Sequence, residues 1–156
     1  MNPYSQLQED IAARLRAATY LTNVPVITEQ VGDIDAAVEQ ALAVGGALGN
    51  ADSKSGLSIT VITPSATRLP EQRGSILLLD VTVRVTIYEN GVVNRSASGI
   101  GKPPLEVLFA VQAALHGWRM SPGAVAVQCL AFDSATEPEG TSYFADFSCH
   151  RAINLT

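Results

Sequence analysis

Of the groupings in this chain that could support chemistry, the run Ser98-Gly99-Ile100-Gly101-Lys102 comes nearest to a known device. Glycines ahead of a lysine, between a strand and a helix, are the setting of a phosphate loop, whose backbone amides cradle an anion. Here the cradle is incomplete. The motif needs an earlier glycine where Ser96 stands, and Pro103 occupies the place of the Ser or Thr that would hold magnesium. Gly99 and Gly101 are read instead as bends in a loop, and Pro103-Pro104 as the start of a helix. His116 and His150 are the two histidines, and neither stands in a metal-ligand spacing. His116 falls in the last turn of a helix, where a partly positive imidazole is favourable. His150 follows Cys149 on a strand and points to the opposite face, which denies a Cys–His nucleophile pair its base. There is no Gly-x-Ser-x-Gly elbow. Asp33 and Asp35 suit a helix start better than an acid pair. The sequence therefore predicts no catalytic set, no metal and no cofactor.

Positive charge is the other candidate. Arg68 and Arg73 lie in one polar stretch, Pro64 to Gly74, and Arg95 and Lys102 in another, Asn90 to Pro103. Loops carry contacts more often than the scaffold does, and arginine forks pair well with carboxylates. With Asn94, these residues form the expected interface set: Arg68, Arg73, Asn94, Arg95 and Lys102. Asp80, Arg84 and Tyr88 share the polar face of one strand, for solvent or for a neighbouring subunit.

The elements that must carry these residues are legible from periodicity. From Ser75 to Glu89, Leu79, Val81, Val83, Val85 and Ile87 alternate with Asp80, Thr82, Arg84, Thr86 and Tyr88, the pattern of a strand with one buried face. A helix is predicted from Pro3, capped by Asn2, with Leu7, Ile11, Leu15 and Ala18 inward. A short strand over Val24–Glu29, with Pro25 at an edge or strand start, precedes a second helix from Asp33 or Ile34 to about Val44, stopped by Gly45-Gly46. Leu57–Thr63 reads as a strand. Pro104–Leu115 reads as the buried helix, exposing little beyond Glu106, Gln112 and His116, with Gly117 as its left-handed cap. Strands Val125–Asp133 and Ser142–Ile153 close the chain. The order α-β-α-β-β-α-β-β, with short turns between strands, predicts an α+β fold: a mostly antiparallel sheet with helices packed on one face, in one domain spanning 1–156.

With 156 residues, 47% hydrophobic and 16% charged, the chain can close a core while leaving few charges to cover its surface. That balance is a hint of burial against other copies. A net charge of −5 disfavours general nucleic-acid binding and docking on an anionic membrane. No apolar run is long enough to span a bilayer, and the polar start, Met1 to Asp10, is unlike a signal peptide, so a cytosol-like compartment is expected. Two cysteines are too few for a disulfide framework. If Glu137-Pro138-Glu139-Gly140-Thr141 makes a type I turn closed by Glu137 and Thr141, Cys129 and Cys149 face one another as reduced thiols.

The layout resembles small tail proteins of tailed bacteriophages and prophages, in particular tail terminator or tail completion proteins. The residues carrying it are the strand ending Tyr88-Glu89-Asn90, then Asn94-Arg95, Gly101-Lys102-Pro103, and the helix running to Leu115-His116-Gly117-Trp118. The resemblance implies a non-enzymatic virion protein, assembled in the host bacterial cytoplasm as a homo-oligomeric ring, usually a hexamer, at the head-proximal end of the tail. Its implied partners are its own copies, the tail tube protein and the head–tail connector protein. Such a ring ends tube polymerisation and offers a surface for head–tail joining, and an acidic lumen would let DNA pass without holding it. Other neck, connector or baseplate adaptor proteins, or a small-molecule-binding domain, are the competing readings.

Overall fold

The computed structural model describes residues 2–42, 55–70, 74–97, 99–137 and 140–155. Helix α1 spans Pro3–Ala17, and the Asn2 carboxamide oxygen accepts the Ser5 amide at 2.8 Å, the expected cap. Leu7, Ile11 and Leu15 are buried as the spacing requires, and Gln8 and Ala12 are buried beside them. There follow β1 (Val26–Thr28), α2 (Ile34–Leu42), β2 (Leu57–Arg68), β3 (Ile76–Glu89), a one-turn α3 (Gly91–Asn94), α4 (Pro104–Leu115), β4 (Gln128–Glu137) and β5 (Gly140–Asn154). The strands form one sheet in the order β1-β2-β3-β5-β4, parallel only between β1 and β2. This is the predicted α+β class in the predicted order, with α3 added.

The long alternation on β3 is the spine of the core. Leu79, Val81, Val83, Val85 and Ile87 are buried, and Ile59, Val61, Ala145, Phe147 and Cys149 stand opposite them on the neighbouring strands. Helices α1 and α4 cover this face. Helix α2 packs against the other face at one end of the sheet, where Val38 and Ala41 meet Ile27 and Tyr88. A parallel β1–β2 pair needs a crossover, and α2 supplies it. The rest of that second face is open and polar: Arg84 makes a bidentate pair with Asp146 at 2.8 and 3.0 Å and lies 4.2 Å from the Phe144 ring centre.

Three details differ from expectation. The helices do not all pack on one face: α2 lies on the second face, because the parallel β1–β2 pair needs a crossover there. Strand β2 runs on to Arg68, through the first part of the expected loop, because Pro64 falls where the register shifts between Ile62 and Ser65. A proline amide is not needed at a bulge. In the last hairpin Glu137 pairs with Gly140, and a second irregularity lies between Cys129 and Ala131. Cys129 therefore faces Phe147, and Cys149 faces Val81. Both thiols are free but are not paired across the ladder. The Gly45-Gly46 stop and Pro138-Glu139 lie outside the described residues, as does Arg73.

Candidate assembly surface

The polar stretch expected to carry contacts, Asn90–Pro103, is folded onto the body of the protein. Asn90 caps α3, its side-chain oxygen accepting the Val93 amide, and its Nδ2 donates to the Leu42 carbonyl at 3.1 Å. Asn94 is 2% exposed. Its Nδ2 donates to Glu89 Oε2 at 2.6 Å and to the Lys102 carbonyl at 2.9 Å, while its Oδ1 accepts the Gly101 amide at 2.9 Å. The glycines allow this closeness. A Cβ on Gly99 would sit 2.0 Å from the Val93 carbonyl oxygen, and one on Gly56 2.2 Å from the Asn94 amide nitrogen. The amides of Gly99, Ile100 and Gly101 are taken by Ser96, Ser55 and Asn94, which leaves no anion cradle in the phosphate-loop-like run; Ser98 lies outside the described residues. Lys102 reaches back to the carbonyls of Tyr20 and Thr22 and lies over the Tyr20 ring. Asn94 and Lys102 hold the loop shut rather than reaching outward.

Arg68 and Arg95 are different. Both are exposed, and among the described residues they are the cations without a partner. Arg68 is level with Leu79 of β3, while Arg95 follows the other end of that strand at Glu89. Ten residues of strand, roughly 33 Å, separate these levels, so the two cannot hold one small ligand together.

The surface that lacks a cover lies elsewhere. On α4, Val107, Leu108, Val111 and Leu115 face the core, but Leu105 is 54% and Phe109 71% exposed. Helix α4 was expected to be buried, and one side of it is not. Leu105, Phe109 and Ala113 succeed one another at i, i+4 and i+8 and form an outward stripe. Beside it Ala18, Tyr20, Ala110 and Ala114 line a shallow groove of about 670 Å³ between α4 and the end of α1. Across the helix, Gln112 approaches Cys129 Sγ at 3.7 Å, which sets β4 alongside α4. On β4, Leu130 and Phe132 are 57% and 61% exposed. Clusters of this kind on a small domain mark contact sites. A signal was present in the sequence: a helix apolar all round must show one side to solvent when only one sheet lies beneath it.

Several titratable groups tie elements of the fold together. The Tyr20 hydroxyl donates to Glu106 Oε2 at 2.8 Å, and that bond to a carboxylate holds the phenol above its usual range. The hydrogen bonds of Arg84 to Asp146 raise its pKa. Burial pushes the Cys149 thiol up to about 12, with a further push from Asp80. His116 Nδ1 accepts the Cys129 amide at 3.0 Å and so ties α4 to β4. His150 stands opposite Asp80 on the other sheet face, away from the core that holds Cys149. Among the described residues no group of His, Cys, Asp or Glu converges as a metal would require, and no helix is long and apolar enough to cross a membrane.

No protein-family model matches this chain, and no curated protein matches it. Among solved structures it is similar to a chain of the virion of a native gene transfer agent particle. The two share 15% sequence identity, the match covers 99% of each chain, and the TM-score is 0.53. At that identity the likeness is one of fold.

Proposed function

We propose that this protein is a structural component of a phage-like virion: a tail terminator that assembles as a ring at the head-proximal end of the tail, ends tube polymerisation and presents a surface for head–tail joining. The observation that carries this reading is the fold match over nearly the whole length of both chains to a component of a gene transfer agent virion. The uncovered apolar stripe on α4 and the exposed Leu130 and Phe132 on β4 support it, because a virion component must bury surface against its neighbours. Arg68 and Arg95 are the members of the expected interface set free to meet acidic partners; Arg73 keeps its place in that proposal on charge alone. The tail position itself comes from the resemblance of the sequence to tail terminators.

The test is assembly. Purified protein should form closed rings by native mass spectrometry and negative-stain microscopy, and should cap growing tubes of the cognate tube protein. A chain that stays monomeric at high concentration and leaves tube growth unchanged sinks the reading. The fold match names a whole particle and no position in it, so a neck, connector or baseplate adaptor role is the second reading. Rings that bind the head connector but never the tube end would favour it.

A further inference from the structure

We propose that two copies of this chain pair through α4, the helices antiparallel about a two-fold axis at Ala110, so that Glu106 of each copy meets Arg14 of the other. The inference goes beyond the ring reading, because a two-fold contact uses a different surface from the head-to-tail contact that closes a ring. It starts from what α4 leaves open. Leu105 and Phe109 are more than half exposed, and Ala113 continues their stripe. The groove beside them is lined by Ala18, Ala110 and Ala114.

Opposite charges stand at the two ends of this surface. At one end Glu106 accepts the Tyr20 hydroxyl at 2.8 Å. At the other, Arg14 donates from Nε to the Ala114 carbonyl at 3.1 Å and lies 5.3 Å from the Trp118 ring centre. Both residues are exposed. Among the described residues, Glu106 has no cation within ion-pair distance and Arg14 has no carboxylate. Both hydrogen bonds cross from the α1 segment to α4, so both charges lie on the flank of α4 that faces α1.

That arrangement chooses the partner and its direction. Glu106 and Ala114 are eight residues apart, roughly 12 Å along the helix, with Ala110 midway. A two-fold axis that crosses α4 at Ala110, in the plane between the copies, reverses position along the helix and preserves the flank. It therefore sets Glu106 of each copy level with Ala114 of the other, where Arg14 lies. The same operation lays Leu105 near Ala113, a bulky side chain against a small one. It also sets the two Phe109 rings side by side, about 3 Å apart in level, an offset that suits an aromatic pair. Parallel helices would instead put Glu106 beside Glu106 and Arg14 beside Arg14, and like charges brought together are costly. Where rings form as well, this contact joins them in back-to-back pairs.

Mixing charge variants tests it. Arg14→Glu and Glu106→Arg should each raise the dimer dissociation constant by about tenfold or more, read by sedimentation and native mass spectrometry, since each homodimer then holds two like-charge contacts. An equimolar mixture of the two variants should dimerise to within about threefold of the wild type, because the mixed dimer restores opposite charges at both contacts. Recovery on mixing also shows that both variants are folded. Phe109→Ser, which leaves the charges in place, should weaken the dimer by about tenfold or more. Dimers that none of the three substitutions weakens overturn the α4 contact. Weakening by the charge variants without recovery in the mixture overturns the antiparallel arrangement. A wild-type chain that stays monomeric, or forms only unpaired rings, yet caps tubes overturns this inference and leaves the proposed function standing. Dimers that behave as expected but never cap a tube support the inference and count against the proposed function.

Discussion

The loop from Asn90 to Pro103 and the helix α4 that follows it have exchanged the roles their compositions imply. The loop is polar and glycine-bearing, yet it encloses a 2%-exposed asparagine whose amide is fully engaged. The helix is almost wholly apolar, yet it turns Phe109 outward at 71% exposure. Polar residues enter the interior when backbone groups there need partners, because an unmet amide costs more than a buried carboxamide that meets it. Apolar residues stay outside when the layer beneath can cover only one side of a helix. The difference separates the side chains that hold the fold together from those it leaves open to solvent.

The strongest break in that contrast is at Gly56. Its φ of +69° is a left-handed conformation, and a Cβ would lie 2.2 Å from the Asn94 amide nitrogen. Gly56→Ala should therefore push the loop off its asparagine and cost about 3–5 kcal/mol in urea unfolding. A loss below about 1 kcal/mol would mean that the loop packs loosely and that Asn94 does not organise it.

A second test sets an interior thiol against an edge thiol. Cys149 is 1% exposed, and burial raises its pKa from about 9 to about 12. The unfolded thiol then loses its proton at lower pH than the folded one, so the stabilising contribution is complete below about pH 9 and is lost as pH rises toward 12. The slope is at most about 1.4 kcal/mol per pH unit. Cys149→Ala should lower stability at neutral pH and remove that alkaline slope. In the folded wild type, alkylation should modify the half-exposed Cys129 well before Cys149. Equal alkylation rates would show that the sheet opens around Phe147 and Cys149 under native conditions.

What the sequence showed clearly was whatever depends on local period. The alternation of Leu79 to Ile87 placed the spine strand and its buried face, and the Asn2–Pro3 pair placed the start of α1. Properties that depend on a distant partner were hidden. Pro64 looks like the end of a strand until the bulge opposite Thr82 and Arg84 makes its missing amide harmless. Cys129 and Cys149 look matched until the hairpin closes on Glu137 and Gly140 and one extra residue at Leu130 shifts the ladder again. The placement of α2 on the second face follows from β1 pairing parallel to β2, which no local pattern announces. Among the residues expected at an interface, charge alone could not separate Arg68 and Arg95, which are exposed, from Lys102, whose ammonium is bound to backbone carbonyls 80 and 82 residues away in sequence.

The smallest expected effect on the protomer sharpens the contrast most. Phe109 has little left to lose on unfolding, since most of its ring already meets water. Phe109→Ser should change the stability of the isolated protomer by less than about 0.5 kcal/mol, against the 3–5 kcal/mol typical of truncating a buried phenylalanine. Any loss it causes should instead depend on protein concentration, because surface that is open in one copy is covered only when copies or partners meet. Melting curves recorded across a hundredfold range of concentration distinguish the two cases. A variant that melts several degrees below the wild type even at the lowest concentration places Phe109 in the fold itself, and the division between a sealed loop and an open helix then fails at its clearest residue.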